Sequence, residues 1–333
     1  MGSLRLFVII FISIILIIGF ASDKPNISGE QSATPTNGNR ILNLYDAFGE
    51  NIGEAVFDFG FSAYIEYNGK IILFDSGTDA EIFKQNVAAF GIDLKNVDFA
   101  VASHSHSDHI SGFDYLLEVN PDVKLYLPKD FFGLGAPIPF RVTGTEPEET
   151  KTLPKEMQYF NGEKEAFEIK PSGRFRNANV EYITENTVIA DGINLIVTAS
   201  PFLGYFTRYP NLTADGEPAD SKTNFIGLPE LSLVLDSDEG QVLVVGCSHS
   251  TVEEIVRESI AHTGKQIKLV MGGYHLLPYK SDELTEMASR LKGELGVKSV
   301  APSHCTGHLA FKILKEAYQD NYVPAGLGAE IPF

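Results

Sequence analysis

The sequence contains little cysteine. Of its 333 residues only Cys247 and Cys305 are cysteine, and each lies beside a motif histidine. Two cysteines cannot build the disulfide framework of a small secreted scaffold. A disulfide between them is sterically conceivable if both strand ends meet at one site. The favoured interpretation is a small residue beneath a ligand, or a thiol near a metal.

Cations are also scarce, because 26 Lys and Arg stand against 44 Asp and Glu, for a net charge of -18. Nucleic acids and anionic membrane surfaces attract proteins through Lys and Arg. The composition therefore argues against nucleic acid as a partner and favours a small-molecule substrate. An apolar fraction of 44% is ample for a folded core.

Long apolar runs are limited to the N-terminus, where residues 6–20 follow Arg5. This run is shorter than the roughly 20 residues of a spanning helix. It predicts a signal peptide over residues 1–22 and export to the periplasm or the exterior, or else an uncleaved membrane anchor at residues 4–20. Residues 23–40 are rich in Pro, Ser, Thr, Asn and Gly and predict a disordered tether. Residues 41–333 are predicted to form the folded domain.

A dense histidine motif follows a predicted strand over residues 97–102. It comprises His104, His106, Asp108 and His109. Three imidazoles are too polar for a core at this density and would repel one another if protonated. Because alternate residues of an extended segment share a side, His104 and His106 can converge on one ion. Asp108 and His109, past a bend, can then reach a second ion.

Seven of the eight histidines lie just past the end of a predicted strand, and only His262 lies within a predicted helix. Surface histidines placed at random would not show this bias, whereas ligands on loops along one sheet edge would. The seven are His104, His106, His109, His249, His275, His304 and His308.

The remaining pattern predicts a mixture of strands and helices. Asn68-Gly69 predicts a hairpin, and the capping boxes Thr78-x-x-Glu81 and Ser250-x-x-Glu253 predict helix starts. Residues 129–191 are interrupted by proline and glycine and contain no histidine or cysteine. We interpret this segment as an inserted lid that sets specificity. Its candidate pocket residues are Phe131, Phe132, Phe140 and Tyr159, with Arg141 or Arg174 for an anionic group.

The motif His104-x-His106-x-Asp108-His109, with Phe74-Asp75-Ser76-Gly77 upstream, resembles the metallo-β-lactamase superfamily. Three later motifs resemble the subgroup that includes an archaeal dihydropterin-ribofuranosylaminobenzene-phosphate synthase. They are Gly246-Cys247-Ser248-His249, Gly272-Gly273-Tyr274-His275-Leu276 and Ser303-His304-Cys305-Thr306-Gly307. The resemblance implies an α/β (α+β) fold, a four-layer αββα sandwich with the inserted lid.

The resemblance also implies the ligands. His104, His106 and His249 would form one metal site, and Asp108, His109 and His304 the other. Such sites suit Zn²⁺, as one or two ions, and accept Mn²⁺ or Fe²⁺. A hydroxide held between the ions would be the nucleophile of a hydrolase. Asp75 would orient the ligand loop from behind the ligands.

The sequence departs from the wider superfamily at two positions. Gly246 is followed by Cys247 where most dinuclear members carry a bridging aspartate, and Pro229-Glu230 stands where they carry a histidine. Occupancy of the second site therefore stays open, as does the choice for Cys247 between a place behind the ligands and binding as thiolate. The candidate catalytic residues are Asp108 and His275. His275 would donate a proton or bind substrate, or else serve the structure alone.

The leading functional prediction is a metal-dependent hydrolase of a small-molecule ester, phosphoester or related bond. The alternative is a transferase similar to the subgroup's synthase, against which predicted export argues because reduced pterins are cytosolic. A non-catalytic metal-binding protein is the third reading.

Overall fold

The computed structural model describes residues 38–50, 52–129, 134–136, 138–141, 153–158, 163, 166–169, 174–198, 205–206, 223–224 and 228–333. The predicted signal peptide and nearly all of the predicted tether lie outside these residues. Among the helices described, none has the length and apolar character to cross a membrane.

Two sheets carry most of the strands. The first sheet has the order β17-β1-β2-β3-β4-β5-β8 and the second the order β16-β15-β14-β13-β10-β9. Strands β11 and β12 pair with each other, as do β6 and β7. The strands are β1 Arg40–Tyr45, β2 Ser62–Tyr67, β3 Lys70–Phe74, β4 Phe99–Val101, β5 Lys124–Pro128, β6 Ile138–Arg141, β7 Ala166–Ile169, β8 Asn179–Ile183, β9 Thr187–Ala190, β10 Ile193–Thr198, β11 Tyr205–Phe206, β12 Thr223–Asn224, β13 Glu230–Ser237, β14 Gly240–Val245, β15 Ile267–Gly273, β16 Ser299–Ser303 and β17 Glu330–Pro332.

Six α-helices are described, and most of them flank the sheets. They are α1 Ala80–Ala89, α2 Ser107–Ile110, α3 Phe113–Val119, α4 Val252–Thr263, α5 Ser281–Ser289 and α6 His308–Tyr318. A π-helical turn, Arg290–Glu294, extends α5, and a 3-10 turn, His304–Thr306, follows β16.

The layers follow from the alternation of side chains along the strands. In β3, Ile72 and Phe74 enter the core between the sheets, whereas Leu73 faces α1 and α3. In β14, Val244 enters the same central core and Leu243 faces α4 to α6. Each sheet is therefore buried on both faces, which confirms the predicted αββα sandwich.

The local starts of two helices differ from the prediction. Asp79, not Thr78, caps α1, because its carboxylate accepts hydrogen bonds from the backbone N–H groups of Glu81 and Ile82. Thr78 instead donates to the carbonyl of Phe59. Likewise Thr251 caps α4. Neighbouring Ser250 uses its N–H to bind a buried carboxylate of the site described below.

The predicted lid segment, residues 129–191, is described only in parts. Its C-terminal portion contributes β8, which pairs with β5, and β9, which pairs with β10. Both are edge strands of the sandwich in the described structure. Whether the remainder sets substrate choice stays a prediction.

Candidate metal centre

The centre lies where parallel strands end together. Strands β3, β4 and β5 run parallel in the first sheet, and β14, β15 and β16 in the second. Because carboxyl ends of parallel strands share a sheet edge, the loops that follow them converge. These loops carry Asp75, the histidine motif, Cys247, His249, His275 and His304.

Three imidazoles from two of these loops form the first ligand group, His104, His106 and His249. His104 Nε2 lies 3.1 Å and His249 Nε2 lies 3.3 Å from His106 Nδ1. Two nitrogen ligands of a tetrahedral zinc ion, at about 2.0–2.1 Å each, lie about 3.3 Å apart. The donor spacing therefore fits a metal ion, and His104 and His249 are almost fully buried around it.

The second ligand group mixes donor types and comprises Asp108, His109, Cys247 and His304. Asp108 Oδ2 lies 3.3 Å from His304 Nε2 and 3.8 Å from His109 Nε2. Cys247 Sγ lies 3.1 Å from the same His109 nitrogen. The thiol thus lies close enough to be a candidate donor, and whether it binds metal stays open. The two groups adjoin, since the His104 and His109 ring centroids are 4.2 Å apart.

Asp75 lies behind both groups and is fully buried. Its Oδ2 accepts from His109 Nδ1 at 2.7 Å, and it also contacts the Ser103 hydroxyl at 2.7 Å. That hydroxyl lies 2.8 Å from His104 Nδ1. A proton held on Nδ1 of each ring leaves the Nε2 lone pair free for a metal. One carboxylate therefore fixes the tautomers of a ligand in each group, directly for His109 and through Ser103 for His104.

Two further buried carboxylates support the ligands, and the sequence analysis did not identify their roles. Glu230 accepts hydrogen bonds from the backbone N–H groups of His249 at 2.9 Å and Ser250 at 2.8 Å. Asp46 accepts from the N–H of His304 at 3.1 Å. Burial raises the pKa of Glu230, and it raises the pKa of Asp46 to about 6.

Left-handed backbone conformations gather around the ligands. Asp75, Ser248, His275 and His304 have φ between 48° and 60°, although none is glycine. Such residues cost about 1–3 kcal/mol each and persist where the surroundings hold them. Because these four residues lie together at one edge of the sheets, the surrounding structure must hold each of them in its strained conformation there.

Glycine allows the strand ends to approach each other beneath the ligands. A side chain at Gly246 would collide with Ser103. A Cβ at Gly273 would lie 2.7 Å from Cys305 Sγ. Gly246 and Gly273 therefore allow the strand ends beneath the ligands to pack closely against each other.

Protonation differs between the two groups. Burial, reinforced by neighbouring imidazoles, lowers the pKa values of His104 and His249 well below the ordinary range. Burial works against charge at Asp108, but His109 and His304 outweigh it and lower the pKa of Asp108. Burial likewise opposes charge on His304, yet Cys305 and Asp108 raise its pKa to about 9. At neutral pH the first group is thus uncharged, whereas the second holds opposite charges.

His275 lies beside the centre. Its ring centroid is 4.4 Å from that of His249. It forms a third, sulfur-rich group with Cys247 and Cys305. It also lines a cavity of about 230 Å³ between α4 and α5, together with Tyr274 and Tyr279. This location suits a proton donor, and its catalytic role stays a prediction.

Most of the predicted substrate-binding residues of the lid segment lie outside the described part of the chain. Phe131, Phe132 and Tyr159 lie outside the described residues, as do the side chains of Phe140 and Arg141. Arg174 is described, and it binds Asp114 Oδ1 at 3.0 Å through Nε. Its charge is therefore offset by a surface carboxylate.

The structure thus combines an αββα sandwich with a histidine-rich candidate metal centre at the edge of its sheets. The metallo-beta-lactamase superfamily profile matches residues 55–178. The chain is 26% identical over 279 residues to the 7,8-dihydropterin-6-methyl-4-(beta-D-ribofuranosyl)-aminobenzene-5'-phosphate synthase of Methanocaldococcus jannaschii, which covers 81% of this chain and 87% of that protein. An uncharacterized protein of the same organism is 27% identical over 271 residues, 81% of this chain and 91% of that one.

Among solved structures, the crystal structure of Tm1679, a metal-dependent hydrolase of the beta-lactamase superfamily, is similar with a TM-score of 0.61 and 25% identity. The match covers 88% of this chain and 98% of that chain. Residues 55–178 thus match the metallo-β-lactamase superfamily, in agreement with the resemblance of the histidine motif.

Proposed function

We propose that the protein is a metal-dependent hydrolase that cleaves an ester, phosphoester or related bond of a small molecule. The observation that carries this proposal is the contact between two different ligand groups, with 4.2 Å between the His104 and His109 ring centroids. Adjacent ions, when bound, supply an activated water near neutral pH and a Lewis acid for the bond under attack.

The chain's own residues have distinct tasks in this reaction. Asp75 and Ser103 keep the lone pairs of His109 and His104 directed at the ions. Asp108 supplies negative charge beside them. His275, next to His249 and to a cavity, is positioned to give a proton to a leaving group.

Zinc is the proposed metal. The first group contains only imidazole nitrogen, and its two nitrogen separations of 3.1 and 3.3 Å would suit a zinc ion. The second group contains a thiol, which favours zinc over manganese, while imidazole and carboxylate also accept Fe²⁺. One or two ions per chain are proposed, the first group being the better defined.

The proposed substrate is a small molecule, including anionic ones, and neither nucleic acid nor an anionic membrane is a proposed partner. The net charge of -18 argues against nucleic acid and anionic membranes. We also propose export, directed by residues 1–22, or attachment to a membrane through residues 4–20. Fractionation tests this: full-length chain with Met1 intact in the cytosol would contradict export and strengthen the transferase alternative.

That alternative is a transferase similar to the Methanocaldococcus jannaschii synthase, and 26% identity over most of both chains supports it. Similarity of 25% to a metal-dependent hydrolase supports the leading proposal equally. Predicted export favours the hydrolase, because reduced pterins and their precursors are cytosolic.

The test is a comparison of zinc-loaded wild type with His106→Ala on chromogenic esters and phosphodiesters, and on a pterin diphosphate with a ribosylated aminobenzene phosphate acceptor. Hydrolysis that the substitution abolishes supports the proposal. Condensation without hydrolysis supports the transferase. Metal binding without either activity supports the non-catalytic reading.

A further inference from the structure

The only two cysteines of the chain meet beside the second ligand group. Cys247 follows β14 and Cys305 follows β16, two strands separated by β15. Nevertheless their Sγ atoms are 3.3 Å apart, both thiols are 3% exposed, and both are free. The contact is possible because β15 ends at Gly273, where a Cβ would lie 2.7 Å from Cys305 Sγ.

Cys247 also contacts the other side of the centre. Its sulfur lies 3.1 Å from His109 Nε2 and belongs to the ligand group of Asp108 and His304. Cys305 does not belong to that group. Cys247 therefore has two alternative partners within reach: an ion in the second group, or the sulfur of Cys305.

We propose that Cys247 and Cys305 are a reversible oxidation site, and that their disulfide withdraws Cys247 from the second ligand group. A disulfide of about 2.05 Å requires the sulfurs to approach by about 1.3 Å. A sulfur bonded in a disulfide is no longer a thiolate, the form that binds metals. Oxidation then leaves the imidazole group intact and weakens the mixed group.

The chemistry needs a two-electron oxidant, for which diamide is the probe. One thiol adds across the N=N bond of diamide, so that an S–N bond forms and its proton goes to the other nitrogen. The second thiol attacks that sulfur, the S–S bond forms as the S–N bond breaks, and the leaving nitrogen takes the second proton. Two thiols lose two electrons and two protons, and diamide becomes the hydrazine.

The inference depends on the metal-binding part of the proposed function and not on the reaction catalysed. The experiment treats metal-free full chain with diamide, removes the reagent, adds zinc, and counts bound ions by elemental analysis. Intact mass identifies the disulfide as a loss of two hydrogens. We expect the count to fall from two ions to one, and dithiothreitol to restore it.

Cys305→Ser is the matched control, because it keeps Cys247 but cannot form the disulfide. It should bind two ions before and after diamide. Cys305→Ala serves the same purpose if the serine variant does not fold, and circular dichroism decides which is used.

Two results would overturn the inference alone: reduced wild type holds two ions but forms no internal disulfide, or the disulfide forms and two ions still bind. If reduced wild type holds fewer than two ions, the proposed link between the disulfide and the second ion is overturned. The two-ion form of the proposed function is then contradicted as well. Reduced wild type that holds none contradicts the proposed function as a whole.

Discussion

The two ligand groups are neighbours made from different chemistry. The first group has three neutral imidazoles, and His106 Nδ1 lies 3.1 Å and 3.3 Å from the Nε2 atoms of the other two. The second has a carboxylate, two imidazoles and a thiol, at separations of 3.1–3.8 Å. The first group is preformed for an ion, whereas the second must first lose protons from Cys247 and His304. We therefore expect the first group to bind its ion firmly. We expect the affinity of the second group to depend on pH and on the oxidation state of Cys247.

The largest effect is expected from His106→Ala. His106 Nδ1 is the atom that both other donors of the first group face, so its loss removes the centre of that group. Turnover should fall to background and the first ion should be lost, an effect greater than the ~10 to 100-fold typical of an outer hydrogen-bond partner. Kinetics and elemental analysis measure this.

His308→Ala is the control for this substitution, since His308 is an exposed residue at the start of α6. It should keep both activity and metal. Retention of activity by His106→Ala would mean that the first group is not catalytic.

Asp75→Asn is expected to weaken both groups, because Asp75 contacts His109 directly and His104 through Ser103. Zinc affinity should fall ~10 to 100-fold at each position. Competition with a chromogenic chelator measures it, with the exposed Asp122→Asn as the control. An effect confined to one position would show that the shared carboxylate does not link the groups.

The pH should affect the two positions differently. The lowered pKa values of His104 and His249 keep both neutral at pH 7, so protons do not compete with the first ion. The pKa of His304 is raised to about 9, so an ion must displace its proton at pH 7. Affinity of the second position should therefore rise with pH, roughly tenfold per unit for each proton displaced, since both His304 and Cys247 must lose one.

Zinc titrations with a competing chelator at about pH 7 and about pH 8.5 check this. Equal slopes for both positions would contradict the contrast in protonation.

The smallest effect is expected from Glu230→Gln. The two carboxylate oxygens of Glu230 accept hydrogen bonds from the backbone N–H groups of His249 and Ser250. In glutamine one of these oxygens is replaced by an NH₂ group, which would face a backbone N–H donor. We expect a loss of about 1–3 kcal/mol in the free energy of unfolding. Urea denaturation measures it, and Glu118→Gln, at an exposed position of α3, should change nothing. A similar result for both variants would remove Glu230 from the support of the first group.

Much of the fold follows from local pattern. The Asn68-Gly69 hairpin joins β2 and β3 as expected, and β10 spans Ile193–Thr198 as its apolar run predicts. Strand β1 was not predicted, because it depends on pairing with β17 from the other end of the chain. The caps of α1 and α4 differ by one residue, because Thr78 donates to the Phe59 carbonyl and the Ser250 N–H donates to Glu230.

The sequence predicts the candidate ligands of the centre but not the buried carboxylates that hydrogen-bond to the ligand loops. Strand-end histidines indicated which side chains converge, and the six predicted ligands lie in two clusters, the second of which also contains Cys247. That these clusters bind metal stays a prediction. Asp46 and Glu230 could not be distinguished from solvated carboxylates, because burial is a tertiary property. The contact of Cys247 with Cys305 depends on three adjacent strand ends and has no local signal.

Anomalous diffraction from crystals grown with zinc is the most direct test of the metal centre. Two zinc peaks are expected. One should lie about 2.0–2.1 Å from His104 Nε2, His106 Nδ1 and His249 Nε2, and the other among Asp108, His109, Cys247 and His304. Absence of a peak among the three imidazoles, after zinc incubation without chelator, would contradict the central claim that this edge of the sandwich is a metal centre.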